Sequence, residues 1–392
     1  MRLDYDTSRR LPKSVSEISH RANAMKSALI ISKLLEPPFN DGSKNLAFSV
    51  ARGLAHLAPT CFVAAGSSFP DEAGLSGIPI RAHGPGAFAP GLREKLPILR
   101  HLLFERGVGL HHYFFAPNPA TARAGRLVRA ARRLPTLQTI TSAPREGADL
   151  AACLFADHHI VLSRATEERL LSAGFSSDRV HRIPAFVDDP ALGILDARSV
   201  RASLGLPECG ALLVFPGDLE FGEGAALIIE AADRLRGEEL IVAIASRPKT
   251  PAAAEAERAL KSRVRELKLD HRVFFLGELS RFHALLAAAD IVALPSRELY
   301  GKTDQPLALL EAMALERPII VARGSAAEEL SEEGAAIAVD INIDTIVEAV
   351  RSLLSDEERA RRGLASRRLY EARYRPEVNL PRYEAIYRSL LG

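Results

Sequence analysis

The sequence predicts an α/β protein built from two doubly wound parallel-sheet domains, and three observations predict it. Short apolar runs of strand length alternate with helix-like or loop stretches along most of the 392 residues, the order expected of parallel strands joined by crossover helices. That length is enough for two separate cores. A proline-bounded string, RIPAFVDDP at 182–190, interrupts the alternation near mid-chain and reads as a linker, because proline cannot continue a helix.

Taken in order, residues 1–25 are polar, without periodicity, and read as a disordered extension; Met25 stands as an alternative start. SALIIS at 27–32 is the first buried strand. A turn-rich NDGS string follows and opens a helix from about 46 to 57, with Gly42 and Ser43 in the turn. Five further runs, at 60–66, 78–83, 108–115, 136–141 and 157–163, bring the first domain (26–187) to six strands. The arginine-rich stretch 121–133 reads as a solvated surface helix, with an electrostatic foot on a bilayer as the sharper alternative. His111 with His112, and His158 with His159, are neighbours on strands. They point to opposite faces, so neither pair can hold one metal alone.

The second domain (188–372) opens with strand, glycine-containing turn and helix at 211–236. LIVAI then leads to Arg247 and Lys249, and HRVFFLGEL at 271–279 is the next strand. Helices are expected at 283–290, 343–354 and 356–373, and 373–392 is a last helix. The most informative stretch lies between the strand runs at 291–294 and 318–321. Leu307, Leu310, Met313 and Ala314 recur there at helical spacing. The loop before them holds Arg297, Glu298, Lys302, Thr303 and Asp304. In an open parallel sheet that loop lies at the carboxyl edge, where ligands bind, and a helix amino end there suits an anion. Glu311, on this helix, reads either as an ordinary solvated residue or as a ligand-facing carboxylate.

LALLEAMALERPII resembles the donor-binding helix of retaining glycosyltransferases of family 4, which have the GT-B fold of two Rossmann-like domains facing a central cleft. Glu311 matches the second glutamate of the family's Glu-x7-Glu pair, which binds the donor ribose. The first glutamate falls on Thr303, with Asp304 the nearest acid. Gly42 and Ser43 match the loop that reaches the phosphates. GDLEFGEG at 217–224 resembles GRLxxxKG, whose arginine and lysine grip the diphosphate; Gly217 is kept, but the cations fall on Asp218 and Glu223. Gly324 and Glu328 match a GGxxE loop, and the last helix resembles one that crosses back to the first domain. His112 lies where relatives have a histidine at a strand end, on the acceptor side, whereas TITSAP at 139–144 lacks their cleft histidine.

Composition adds bounds. Apolar content of 47% and charged content of 26% are those of an ordinary globular protein. A net charge of +2 argues against a dedicated nucleic-acid surface. No apolar run approaches the ~20 residues of a membrane span, and the N-terminus has no signal-like apolar core. Cys61, Cys153 and Cys209 lack metal-ligand spacing and read as buried residues in a reducing cytosol. The expected location is cytoplasmic, with a peripheral membrane contact left open.

The resemblance implies a metal-independent transfer of sugar from a nucleotide-sugar donor to a hydroxyl acceptor, with retention and no cofactor. No Asp-x-Asp triplet follows residue 26, and a diphosphate leaving group needs charge stabilisation. Lys302, with Arg247 and Lys249, is the expected replacement for the missing cations, and Lys302 and Asp304 are the expected catalytic residues. Gly42, Ser43, Gly217, Arg247, Lys249, Thr303 and Glu311 are the expected donor contacts. A GT-B-like nucleotide-sugar-binding protein without transfer activity stays open, because Asp218, Glu223 and Thr303 depart from the pattern. A nucleotide-sugar epimerase on the same scaffold would need an acid/base set that the sequence does not offer.

Overall fold

The computed structural model describes residues 27–35, 37, 39–66, 75–81, 92–145, 147–190, 196–248, 250–300 and 302–392. The expected extension at 1–25 lies outside them. The first sheet is built from β1 (Ser27–Ile31), β2 (Thr60–Ala64), β3 (Ser76–Ile80), β4 (Val108–Phe114), β5 (Thr136–Ile140), β6 (His158–Val161) and β7 (Val180–Arg182). Its order is β3-β2-β1-β4-β5-β6-β7. The second comprises β8 (Ala211–Phe215), β9 (Leu240–Ile244), β10 (Val273–Phe275), β11 (Ile291–Leu294), β12 (Ile319–Ala322) and β13 (Ala336–Val339), in the order β10-β9-β8-β11-β12-β13. Every strand pair among the described residues is parallel.

The strands are apolar because helices cover both faces of each sheet, so no side of a central strand meets water. All seven residues of β4 and all four of β11 are buried. In both sheets the chain reverses direction of winding beside the first strand, between β1 and β4 and between β8 and β11. The loops leaving the carboxyl ends of these strands diverge there and leave a crevice.

Three details differ from the sequence reading. The first helix spans Gly42–Gly53, starting earlier than expected, because Asp41 caps it by accepting a hydrogen bond from the Lys44 amide. The first sheet has a seventh strand, β7, paired to β6 through His159 and Val180. Cys209 is exposed, whereas Cys61 and Cys153 are buried.

The final helix, Pro376–Leu391, leaves the second domain and packs on β4 and on helix Gly42–Gly53 of the first. Its approach is close: a Cβ on Gly53 would come within 2.4 Å of Leu380 Cδ1. Its own Tyr383 and Tyr387 are fully buried on the packed face.

Candidate active site

Loops from both domains converge on one cleft of about 300 Å³. The first domain contributes Phe39–Gly42 and Asn45, from the loop after β1 and the start of its helix. The second contributes Pro216–Asp218 after β8, Ala245–Arg247 after β9, Gly277–Ser280 after β10, and Lys302, Thr303 and Pro306–Ala308 after β11. All of these follow the carboxyl ends of strands, as the doubly wound topology requires. The helix Leu307–Ala314 presents its amino end to the cleft, and its N-cap, Pro306, supplies no side-chain acceptor. The Leu309 and Leu310 amides turn back onto the Pro306 carbonyl, so the amides that an anion could meet are those of Leu307 and Ala308.

Glu311 lines the same cleft one turn along. It is mostly buried, with 15% of its side chain exposed, and lies 3.2 Å from the His283 ring nitrogen Nε2. That hydrogen bond raises the His283 pKa above its ordinary value, against the opposing effect of burial. Sequence reasoning missed His283, because nothing in HALLAAAD marks one face of a short helix as facing another helix's glutamate.

The cations are distributed unevenly. Arg247 lines the cleft and sits 3.6 Å from Glu278, which also accepts a hydrogen bond from Asn40 of the first domain. The Lys302 ammonium donates to the Pro216 carbonyl at 3.3 Å, at the turn where Gly217 and Asp218 face the cleft. Lys249 lies outside the described residues. Of the two acids at the expected diphosphate positions, Asp218 lines the cleft, whereas Glu223 is exposed and is not among its lining residues.

Gly42 and Gly217 both line the wall, each for a steric reason. A Cβ on Gly42 would meet Thr303 Cγ2 at 3.2 Å, and one on Gly217 would meet the Phe215 ring at 2.1 Å. Thr303 borders the cleft but spends its hydroxyl on the Gln305 carbonyl at 2.7 Å.

Three expected site residues are placed differently. Ser43 does not line the cleft; its hydroxyl donates to Asp41 at 2.6 Å, bracing the helix cap. His112 is fully buried and far from an acceptor role: its ring bonds Tyr387 Oη at 2.7 Å and Thr139 Oγ1 at 2.7 Å. Burial holds its pKa well below the ordinary value. Asp304, expected to be catalytic, has no exposed surface, and its carboxylate is held entirely by the first domain.

The comparisons with known proteins fit this geometry. Residues 196–367 match the family model for glycosyl transferases group 1. That stretch covers most of the second domain. The chain is also similar to the structure of Anabaena HepE in complex with UDP and glucose, with TM-score 0.76, 16% identity, 93% of this chain and 99% of that one covered. Against sucrose-phosphate synthase of Thermosynechococcus elongatus the TM-score is 0.73 at 20% identity, with 93% and 98% covered. The fold is GT-B. Among curated relatives, a GDP-mannose-dependent phosphatidylinositol dimannoside mannosyltransferase of Mycobacterium tuberculosis is 34% identical over 116 residues, 29% of each chain. A D-inositol 3-phosphate glycosyltransferase of Catenulispora acidiphila is 26% identical over 320 residues, 72% of each. The match thus spans less than a third of the mycobacterial protein and about three quarters of the other.

The amino end of helix Leu307–Ala314, Glu311, Asp218 and Thr303 all line the cleft.

Proposed function

We propose that the protein is a glycosyltransferase that moves a sugar from a nucleotide-sugar donor to a hydroxyl acceptor with retention of configuration. One observation carries this reading: the interdomain cleft brings Glu311, the amino end of helix Leu307–Ala314, Lys302 and Arg247 to the same rim. Glu311 would accept hydrogen bonds from ribose hydroxyls. The helix amino end, Lys302 and Arg247 would meet the diphosphate, whose charge grows as the glycosidic bond breaks. With these groups in place the leaving diphosphate can help take the acceptor proton. The acceptor would enter beside Phe39–Gly42. A screen of purified protein against common nucleotide sugars, reading transfer and donor hydrolysis, tests the proposal; binding of none of them would overturn it.

The charge would be met by side chains and backbone amides, so turnover is expected to persist in excess chelator. Loss of turnover on chelation, restored by manganese or magnesium, would contradict this part.

A second reading, a nucleotide-sugar-binding protein without transfer activity, is favoured by Asp218, a carboxylate lining the cleft where the family has an arginine. Tight nucleotide binding with no transfer to any hydroxyl acceptor would select it.

Peripheral contact with a bilayer is also proposed, on a face revised by the packing. Three arginines of helix Pro119–Arg132 are engaged by main-chain carbonyls: Arg126 by Ala151 and Leu154, Arg129 by Phe155, and Arg132 by Leu103 and Glu105. The support comes instead from the adjoining helix Leu92–Phe104. Leu96 and Phe104 are 67% and 70% exposed, four residues either side of exposed Arg100, and Leu127 beside Arg123 is 72% exposed. Sedimentation with anionic vesicles but not with neutral ones is expected, and its loss in Leu96→Ser/Phe104→Ser checks the face.

A further inference from the structure

The segment Lys302–Gln305 belongs to the second domain by sequence and keeps bonds there through Lys302 to Pro216 and Gln305 to Glu329, yet the side chain of Asp304 and several neighbouring groups are bound by the first. The Asp304 carboxylate accepts from the Ala143 amide at 2.5 Å, the Ser163 hydroxyl at 2.7 Å and the Thr166 hydroxyl at 2.5 Å. The Asp304 amide donates to the Thr141 carbonyl at 3.0 Å. Gln305 donates to the Leu162 carbonyl at 2.7 Å and accepts from the Ala185 amide at 2.9 Å. The Ser142 hydroxyl reaches the Lys302 carbonyl. These partners come from the loops after β5, β6 and β7 and the first turn of helix Arg164–Ser172, so the carboxyl edge of one sheet grips a loop of the other.

A carboxylate without access to water is costly unless donors replace its hydration. Three donors do so here, and Ser163 is at once the cap of helix Arg164–Ser172, accepting from the Thr166 amide. The charge therefore sits at the amino end of a helix, where the dipole favours it. The two residues immediately before Asp304 line the cleft, and Thr303 packs directly against Gly42 of the first domain. The geometry points to Asp304 as a positioning residue: by docking onto Ala143, Ser163 and Thr166 it fixes Lys302 and Thr303 in the cleft and ties their placement to the approach of the two domains. This inference rests on reading the cleft as the donor site.

Separation of the domains would hydrate Asp304 and release Lys302 and Thr303 together, so donor binding and domain approach share one equilibrium. Two variants test this from opposite sides, Asp304→Asn in the second domain and Ser163→Ala/Thr166→Val in the first. Small-angle scattering and calorimetry with UDP and GDP are the readouts. Each variant is expected to show a larger radius of gyration without ligand and at least ~10-fold weaker nucleotide binding. Saturating nucleotide should restore the wild-type radius, and turnover should lose mainly in KM. Wild-type radius and affinity in whichever variant folds would overturn the inference, as would weakened thermal stability alone. If wild type binds neither nucleotide while the variants still expand, the docking stands and the donor-site reading fails.

Discussion

The imidazole Nε2 of His283 lies 3.2 Å from Glu311 Oε1 in the wall of the interdomain cleft. The two come from successive helices flanking β11. The carboxylate proposed to bind ribose is thus already engaged by a titratable donor.

Glu311→Gln is expected to weaken nucleotide binding by ~1–3 kcal/mol, the range for a charge-assisted hydrogen bond. It should also lower the His283 pKa, because the hydrogen bond to Glu311 is the main cause of its elevation. Calorimetry reads the first effect and imidazole proton shifts across pH read the second. An unchanged His283 titration would mean that the pair does not form in solution.

Lys302→Ala removes the ammonium that holds the Pro216 carbonyl beside the expected diphosphate position. A loss of ~10²-fold in kcat/KM is expected if the charge acts in the transition state. Folding stability should change by no more than ~1 kcal/mol, the worth of one hydrogen bond. Steady-state kinetics alongside urea unfolding separate these effects.

Gly42→Ala sets two effects against each other. Alanine improves helix propensity by up to ~1 kcal/mol. Its Cβ, however, presses to 3.2 Å of Thr303 Cγ2, on a buried side chain already fixed to Gln305. Overpacking costs ~1–3 kcal/mol, so the variant should be less stable and bind nucleotide more weakly. A stabilised protein in denaturant titration would show that the contact yields.

Glu329 provides a pH prediction. Burial pushes its pKa up to about 7, with a further upward push from Asp304, against the Arg164 amide and the Arg182 and Arg164 charges. The folded state therefore binds a proton more tightly than the unfolded chain, whose glutamate titrates near 4.3. Its contribution to stability is present below that value and is lost as pH rises to about 7. Glu329→Gln should remove this slope, seen as a flatter pH dependence of the unfolding midpoint across that window.

The fold was legible because buried parallel strands are apolar on both faces: SALII, VGLHHYF and IVAL announce β1, β4 and β11 without reference to anything distant. Short edge strands were not. β7 reads Val-His-Arg, and β13 closes a run that looks like loop. The cleft was readable where one local string carries it, as with Glu311, Lys302 and the helix after β11. Asp304 was misassigned because its meaning lies in Ser163 and Thr166, 141 and 138 residues away. An acid beside a ligand loop looks the same in sequence whether it faces the ligand or the neighbouring domain. His112 failed for the same reason, since its partner Tyr387 stands 275 residues further on.

The packing of helix Pro376–Leu391 on β4 sets an order on the birth of the protein. Domains tend to fold one after another as they leave the ribosome, at roughly 5–20 residues/s. Here the first domain completes its sheet early, but His112 lacks its partner until Tyr387, 275 residues later, has been made. That interval is on the order of tens of seconds at such rates. For that time a nascent chain leaves open to water the parts of β4 and of helix Gly42–Gly53 that the final helix will cover.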